Sequence, residues 1–189
     1  MKILFINGSP RKDGNTNRLI DQIITGIDPT EFEPVKEQIT DYKINFCLGC
    51  DTCTATRRCV QDDDYRALYH KFCASDIICL ATPSYWGYVT GQLKVFFDRT
   101  NPYCNTKPGG TVFPPGKYSA GITIRAGTSE GESVYVLDAI RHFFSHLEVK
   151  PLLDFHLEQI HDHTDITKNK NKISAYAGYL NKWARSREK

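Results

Sequence analysis

Lys2-Ile-Leu-Phe-Ile-Asn-Gly8-Ser-Pro-Arg-Lys-Asp-Gly-Asn-Thr16 opens the chain with an apolar run, a turn and the start of an amphipathic segment. The β-branched and aromatic residues of Lys2 to Asn7 predict a buried strand, and Gly8-Ser-Pro ends it. From Asn15, with Asn15 or Thr16 as the expected N-cap, Leu19, Ile20, Ile23, Ile24 and Ile27 recur at helical spacing. Strand, loop and helix in this order are the first half of a βαβ unit.

The same alternation continues downstream. Phe32 to Ile39 is a weaker strand, interrupted by Pro34 and therefore expected at a sheet edge. Tyr65, Leu68, Tyr69, Phe72 and Cys73 mark a helix, Ile77 to Ala81 a buried strand, and Gly91 to Arg99 another helix. Tyr118 to Ile124 reads as a strand, followed by a helix carrying Val134, Leu137, Ile140, Phe144 and Leu147. Val149 to Leu157 reads as one last strand. Ile173, Tyr176, Ala177, Leu180 and Trp183 form the stripe of a C-terminal helix expected at about residues 168–186. Five strands alternating with helices predict an α/β fold with a parallel sheet covered on both faces. No linker or repeat divides the 189 residues, so one domain is expected, with residues 101–116 as a surface loop.

Charge and composition exclude several classes. Lys plus Arg number 24 and Asp plus Glu 22, a net charge of +2 spread along the chain, which gives no electrostatic case for nucleic acid or an anionic membrane. The N-terminal apolar run is too short for a signal peptide, and no stretch approaches the ~18 apolar residues of a membrane span. A cytoplasmic location is expected, where seven cysteines are thiols, metal ligands or redox groups rather than a disulfide framework.

In open parallel sheets ligands sit beyond the carboxyl ends of the strands. Three loops leave those ends: Gly8 to Asn17, Pro83 to Gly91 and Arg125 to Gly131. The first offers Ser9, Asn15, Thr16 and backbone N–H groups at a helix N-terminus, a site for an anion such as a phosphate. It is not a P-loop, because Gly14 is followed by Asn-Thr, nor a G-x-G-x-x-G dinucleotide loop. The second, Thr82-Pro-Ser-Tyr-Trp-Gly87, carries adjacent aromatics suited to a flat ring. Phosphate cradle and aromatic wall together point to a mononucleotide with a flat ring.

Gly8-Ser-Pro-Arg-x-x-Gly-Asn-Thr16, Pro83-Ser-Tyr-Trp-Gly87 running into Gln92-Leu-Lys-x-Phe-x-Asp98-Arg99, and Gly116-Lys117 resemble the NADPH-dependent FMN reductase family of flavodoxin-like proteins. The resemblance covers roughly residues 1–147. It implies a doubly wound five-stranded sheet in the order 2-1-3-4-5, bound FMN, NAD(P)H as co-substrate, a small-molecule acceptor such as a quinone or flavin, and a homodimer or homotetramer. By position, Ser9, Arg11, Asn15, Thr16 and Asn17 would hold the FMN phosphate. Pro83, Ser84, Tyr85, Trp86 and Gly87 would flank the ribityl chain and isoalloxazine, with Gly127 and Thr128 contributing from the third loop. There the chain departs from the family's Gly-Gly-Gln-Glu-like stretch, having Ala126-Gly-Thr-Ser-Glu-Gly-Glu132. No catalytic side chain is expected, because the flavin carries the chemistry.

Cys47, Cys50, Cys53 and Cys59 stand in the spacing C-x2-C-x2-C-x5-C. Such gaps let a loop wrap so that four sulfurs meet one cubane or one tetrahedral metal, with Arg57 and Arg58 offsetting the negative charge. Zinc and free redox-active thiols are the alternatives. The spacing is similar to the cysteine motif of the iron-sulfur flavoproteins, a branch of the same family, which implies a [4Fe-4S] cluster near the flavin and ferredoxin as electron donor. Cys73 and Cys79 read as buried hydrophobes and Cys104 as an exposed loop thiol. His156, His161 and His163 read as solvated.

Overall fold

A computed structural model describes residues 1–129 and 131–187. β1 (Lys2–Asn7), β2 (Glu33–Gln38), β3 (Ile77–Pro83), β4 (Tyr118–Ile124) and β5 (Lys150–Pro151) form a sheet in the order β2-β1-β3-β4-β5, every pair parallel. This is the doubly wound order expected from the sequence. The order reverses between β1 and β3, so their carboxyl ends flank a crevice.

Period-two alternation sends β1 into two cores. Ile3 and Phe5 face one side with α1 (Asn15–Gly26), α6 (His163–Lys168) and α7 (Lys170–Arg185). Leu4 and Ile6 face the other with α3 (Tyr65–Cys73), α4 (Gly91–Arg99) and α5 (Glu132–Ser145). A short helix, α2 (Thr52–Thr56), sits outside both cores. Pro34 is tolerated because β2 is the sheet edge and pairs only with β1.

The structure departs from the sequence reading in four places. Val149 to Leu157 is not one strand: β5 stops at Pro151, and β6 (Phe155–Leu157) resumes the pairing with β4. Between them Asp154 turns inward, and its Oδ1 accepts the Gly121 N–H at 2.5 Å. The C-terminal helix expected at about residues 168–186 is α7, but the short α6 ahead of it is additional, the Asn169 side chain between them donating to the Asp165 carbonyl. Val134 is exposed, since Ser133, Val136, Leu137, Ile140, Phe143 and Phe144 set the buried face of α5. Neither Asn15 nor Thr16 caps α1; the N-cap is Gly14, which offers no side-chain acceptor. No helix among the described residues is long and apolar enough to cross a membrane.

Gly121 has no room for a side chain, since a Cβ there would lie 2.9 Å from Leu137 Cδ2 and 3.2 Å from Asp154 Oδ1. Burial raises the Asp154 carboxyl above its ordinary value, against the Gly121 N–H and Arg141. Asp154→Ala, which leaves the Gly121 N–H unpaired, is expected to cost about 1–3 kcal/mol in urea unfolding. Arg141 is half exposed, and Arg141→Gln is expected to cost less than about 1 kcal/mol.

Candidate functional site

The β1–α1 turn is fixed from both sides. Gly8 N donates to the Ala81 carbonyl at 2.7 Å, and Thr90 Oγ1 donates to the Gly8 carbonyl at 2.5 Å. Ser9 N donates to Asn7 Oδ1 at 3.0 Å, while Gln38 Nε2 donates to the Ser9 carbonyl at 2.6 Å. Gly8 is required by close approach, because a Cβ would meet Leu93 Cδ2 at 3.0 Å and the Ala81 carbonyl at 3.1 Å.

Beyond this turn the N–H groups of α1 open outward. Its first i→i−4 bond runs from Arg18 N to the Gly14 carbonyl, so the N–H groups of Asn15, Thr16 and Asn17 precede the ladder with no side-chain cap. Ser9 is buried; its Oγ accepts from Arg11 N at 3.1 Å, leaving the hydroxyl proton to donate elsewhere. Thr16 is buried, and the Asn17 side chain is taken by Asp21 at 3.2 Å, so Asn17 offers only its backbone. An open groove of about 530 Å³ lies here, lined by Arg11, Gly14, Asn15 and Arg18. Its opposite wall is formed by His161 and His163, which the sequence reading left as merely solvated.

The other two carboxyl-end loops adjoin this turn. Thr90, the N-cap of α4, links the second loop to Gly8, and Ser84 N donates to the Ile124 carbonyl at 2.8 Å. Tyr85 and Tyr88 exchange backbone bonds around Trp86 and Gly87, both at positive φ, which makes a two-residue turn of the I′ kind. That turn presents the Trp86 side chain fully to solvent and half exposes Tyr85. Gly127 and Thr128 lie exposed at the third loop.

Two residues to which the sequence assigned no role, Arg125 and Glu132, bind side chains around these loops. The Ser84 hydroxyl donates to the Glu132 carboxylate, and Arg125, almost fully buried, bonds Glu158 through Nε at 3.2 Å and Nη2 at 2.8 Å. Arg125 Nη1, beneath Gly127, makes no hydrogen bond among the described residues but lies 3.6 Å from a Glu132 carboxylate oxygen. An uncapped helix N-terminus and a buried guanidinium under the third loop, at the strand-order reversal, fit a phosphate-bearing, hydrogen-bonding cofactor such as FMN.

The cysteine loop lies elsewhere along α4. Cys47, Cys50, Cys53 and Cys59 all line one cavity of about 230 Å³, together with Asp98 and Arg99. Thr90 at the start of α4 touches the first loop, whereas Arg99 is its last residue. The nine residues of α4 separate the two regions by roughly 13 Å at about 1.5 Å per residue. All seven cysteines are free thiols. Hydrogen bonds from the Thr52 backbone and hydroxyl lower the Cys50 thiol, while burial raises Cys53.

The expected roles of Arg57 and Arg58 are not borne out. Arg57 turns away to the carbonyls of Cys104, Pro108 and Gly110, Arg58 is exposed, and neither lines the cavity. With Lys107 on Asp51 and Thr54, Arg57 clamps the 101–116 loop onto the cysteine loop, which buries Cys104 rather than exposing it. Among the described residues no three Cys, His, Asp or Glu side chains surround one ion position. Zinc needs four donors about 2.0–2.3 Å from one point. A cubane cluster takes one thiolate at each of four separate irons, which suits four sulfurs spaced around a shared cavity.

A profile of the NADPH-dependent FMN reductase family matches residues 1–162. The chain belongs to that family. Within it, the chain is 40% identical over 134 residues to an iron-sulfur flavoprotein of Archaeoglobus fulgidus, covering 71% of this chain and 59% of that one. It is 30% identical over 153 residues to an iron-sulfur flavoprotein of Methanocaldococcus jannaschii, covering 80% and 75%. The fold is similar to that of an NAD(P)H:quinone oxidoreductase from Methanothermobacter marburgensis, with TM-score 0.75, 12% identity and coverage of 95% and 96%.

Arg125 holds the Glu158 carboxyl below the usual range, with Ser133 adding a further bond. A lowered carboxyl stabilises fully above its ordinary pKa of about 4.3 and loses that contribution as pH falls through the folded-state value. Glu158→Gln is therefore expected to flatten the acid limb of a Tm-versus-pH curve below about pH 4.3, with the larger loss of Tm in the native sequence.

Proposed function

We propose that this chain is an FMN-dependent NAD(P)H oxidoreductase that reduces a quinone, free flavin or similar acceptor in the cytoplasm. The observation that carries the reading is the uncapped N-terminus of α1 at the β1/β3 reversal point, held open by a fully bonded Gly8–Ser9 turn. Ser9, Arg11 and the N–H groups of Asn15, Thr16 and Asn17 would hold the FMN phosphate. Pro83 to Gly87 would line the ribityl chain and ring, with Gly127 and Thr128 above Arg125. When bound, FMN would supply the hydride and single-electron chemistry that links NAD(P)H to an acceptor. The chain's own residues bind and orient it. The exposed Trp86 and half-exposed Tyr85 give nicotinamide and acceptor a flat wall, and with Tyr135 they suit a homodimer or homotetramer that covers part of this rim.

A second reading is favoured by the shared cavity of Cys47, Cys50, Cys53 and Cys59. In it those thiolates hold a [4Fe-4S] cluster, and the protein carries single electrons from ferredoxin to FMN. The names of the flavoprotein relatives support this reading. The aligned segments span only 59% and 61% of the first two relatives' own length.

Anaerobic purification separates the readings. Flavin absorbance, about four iron and four sulfide per chain and slow NADPH oxidation are expected of the carrier; flavin without iron and rapid NADPH oxidation are expected of the reductase. A chain that takes up no FMN overturns both. Arg11→Ala is expected to weaken FMN binding about tenfold, or 1.4 kcal/mol, by fluorescence titration.

A further inference from the structure

Arg99 is the most deeply buried charged residue at the cysteine cavity, with a side chain that is 0% exposed. Asp63 binds it in bidentate fashion, at 2.6 Å to Nη1 and 3.0 Å to Nη2, and Nη1 also donates to the Asn45 carbonyl at 2.8 Å. Its planar group lies 5.1 Å from the centre of the Tyr65 ring. Nε, by contrast, is buried with no hydrogen-bond partner among the described residues, and the side chain lines the cavity that all four cysteines share. The neighbouring charges are otherwise engaged: Asp51 with Lys107, and Asp98 with Lys94. Among the described residues lining that cavity, Arg99 is the one cation.

A buried guanidinium is costly to place and keeps its charge at every ordinary pH. Asp63 spends much of its acceptor capacity on the N–H groups of Asn45 and Tyr65, at 3.0 and 3.2 Å, so it does not serve Arg99 alone. We propose that Arg99 is a positioning residue of the cysteine site, a fixed positive charge that favours the more negative redox state of a thiolate-held iron-sulfur group. This rests on the cluster reading given above. In the step concerned one electron enters from an external reductant, no proton moves and no bond to the protein forms or breaks. The site becomes one unit more negative, and a cation within a low-dielectric wall stabilises that state over the oxidised one.

The test uses the full chain, loaded anaerobically with iron and sulfide and titrated with dithionite while absorbance and electron paramagnetic resonance report the midpoint potential. Arg99→Gln is expected to make reduction at least tenfold less favourable, a fall of 59 mV for a one-electron couple. Arg99→Lys, which keeps the charge, is expected to recover most of that loss. Asp63→Asn removes the counter-ion while leaving Arg99 charged, and is expected to raise the potential. Opposite signs for Arg99→Gln and Asp63→Asn are not produced by loosened packing alone. Where Arg99→Gln fails to fold, Asp63→Asn decides by itself: a raised potential supports the inference and an unchanged or lowered one overturns it. A loaded native chain whose potential neither variant moves, or both move in one direction, overturns the role of Arg99 and leaves the cluster intact. A native chain that takes up no iron overturns the cluster reading and this inference with it.

Discussion

Two consecutive residues at the end of β1 have all four of their backbone hydrogen-bonding groups engaged. Gly8 is bonded to Ala81 and Thr90, and Ser9 to Asn7 and Gln38. Those partners come from β1 itself, the edge strand β2, the central strand β3 and the N-cap of α4. The turn holds the loop in place, and because the N-cap that follows is Gly14, α1 begins without a side-chain cap and its N–H groups remain directed outward. The same bonds draw the second loop against the first. The geometry of the candidate flavin site is thus a consequence of how one turn satisfies its peptide groups.

Two buried arginines extend this logic. Arg125 follows β4 and faces the third loop; Arg99 ends α4 and faces the cysteines. Each has a carboxylate partner and one guanidinium nitrogen without a hydrogen bond. Buried ion pairs contribute little net stability relative to well-packed apolar groups, because desolvation offsets most of the Coulomb attraction. A nitrogen left unpaired adds to that cost. Packing therefore does not account for either residue, and both occur where a loop cluster or a ring of thiols would receive a polar group.

The strand, turn and helix at residues 2–26 were legible because each signal there is local: an apolar run, Gly-Ser-Pro, and a stripe of Leu and Ile. The central strands read equally well, being buried on both faces. What escaped the sequence depends on contacts between distant residues. Asp154 reads as a polar interruption of a strand until Gly121, 33 positions earlier, supplies the N–H that draws it inward. Cys104 reads as exposed because nothing nearby predicts that Arg57 and Lys107 fasten its loop. Arg57 and Arg58 seem by proximity to be the cations of the cysteine loop, yet the buried charge arrives from Arg99, 40 positions past Cys59. His161 and His163 are exposed as read, but that they line the groove of the first loop depends on the fold.

Helix α4 joins the two candidate redox regions mechanically. Its N-cap hydroxyl is bonded to Gly8, its apolar face is locked by Leu93 and Phe96 in the core, and its last residue is held by Asp63. A single short helix clamped at both ends and along its length has little freedom to bend or slide, since close-packed interiors transmit displacement rather than absorb it. Any change of charge at the cysteine cavity that pulled on Arg99 would act on an element whose other end sets the Gly8 carbonyl. The spacing between thiols and flavin loops is accordingly set by secondary structure rather than by the exposed cysteine loop, whose own residues are mostly open to solvent. In the proposed cluster reading the cysteine loop would supply the donors, while α4, anchored in the core, would set the distance and the charge.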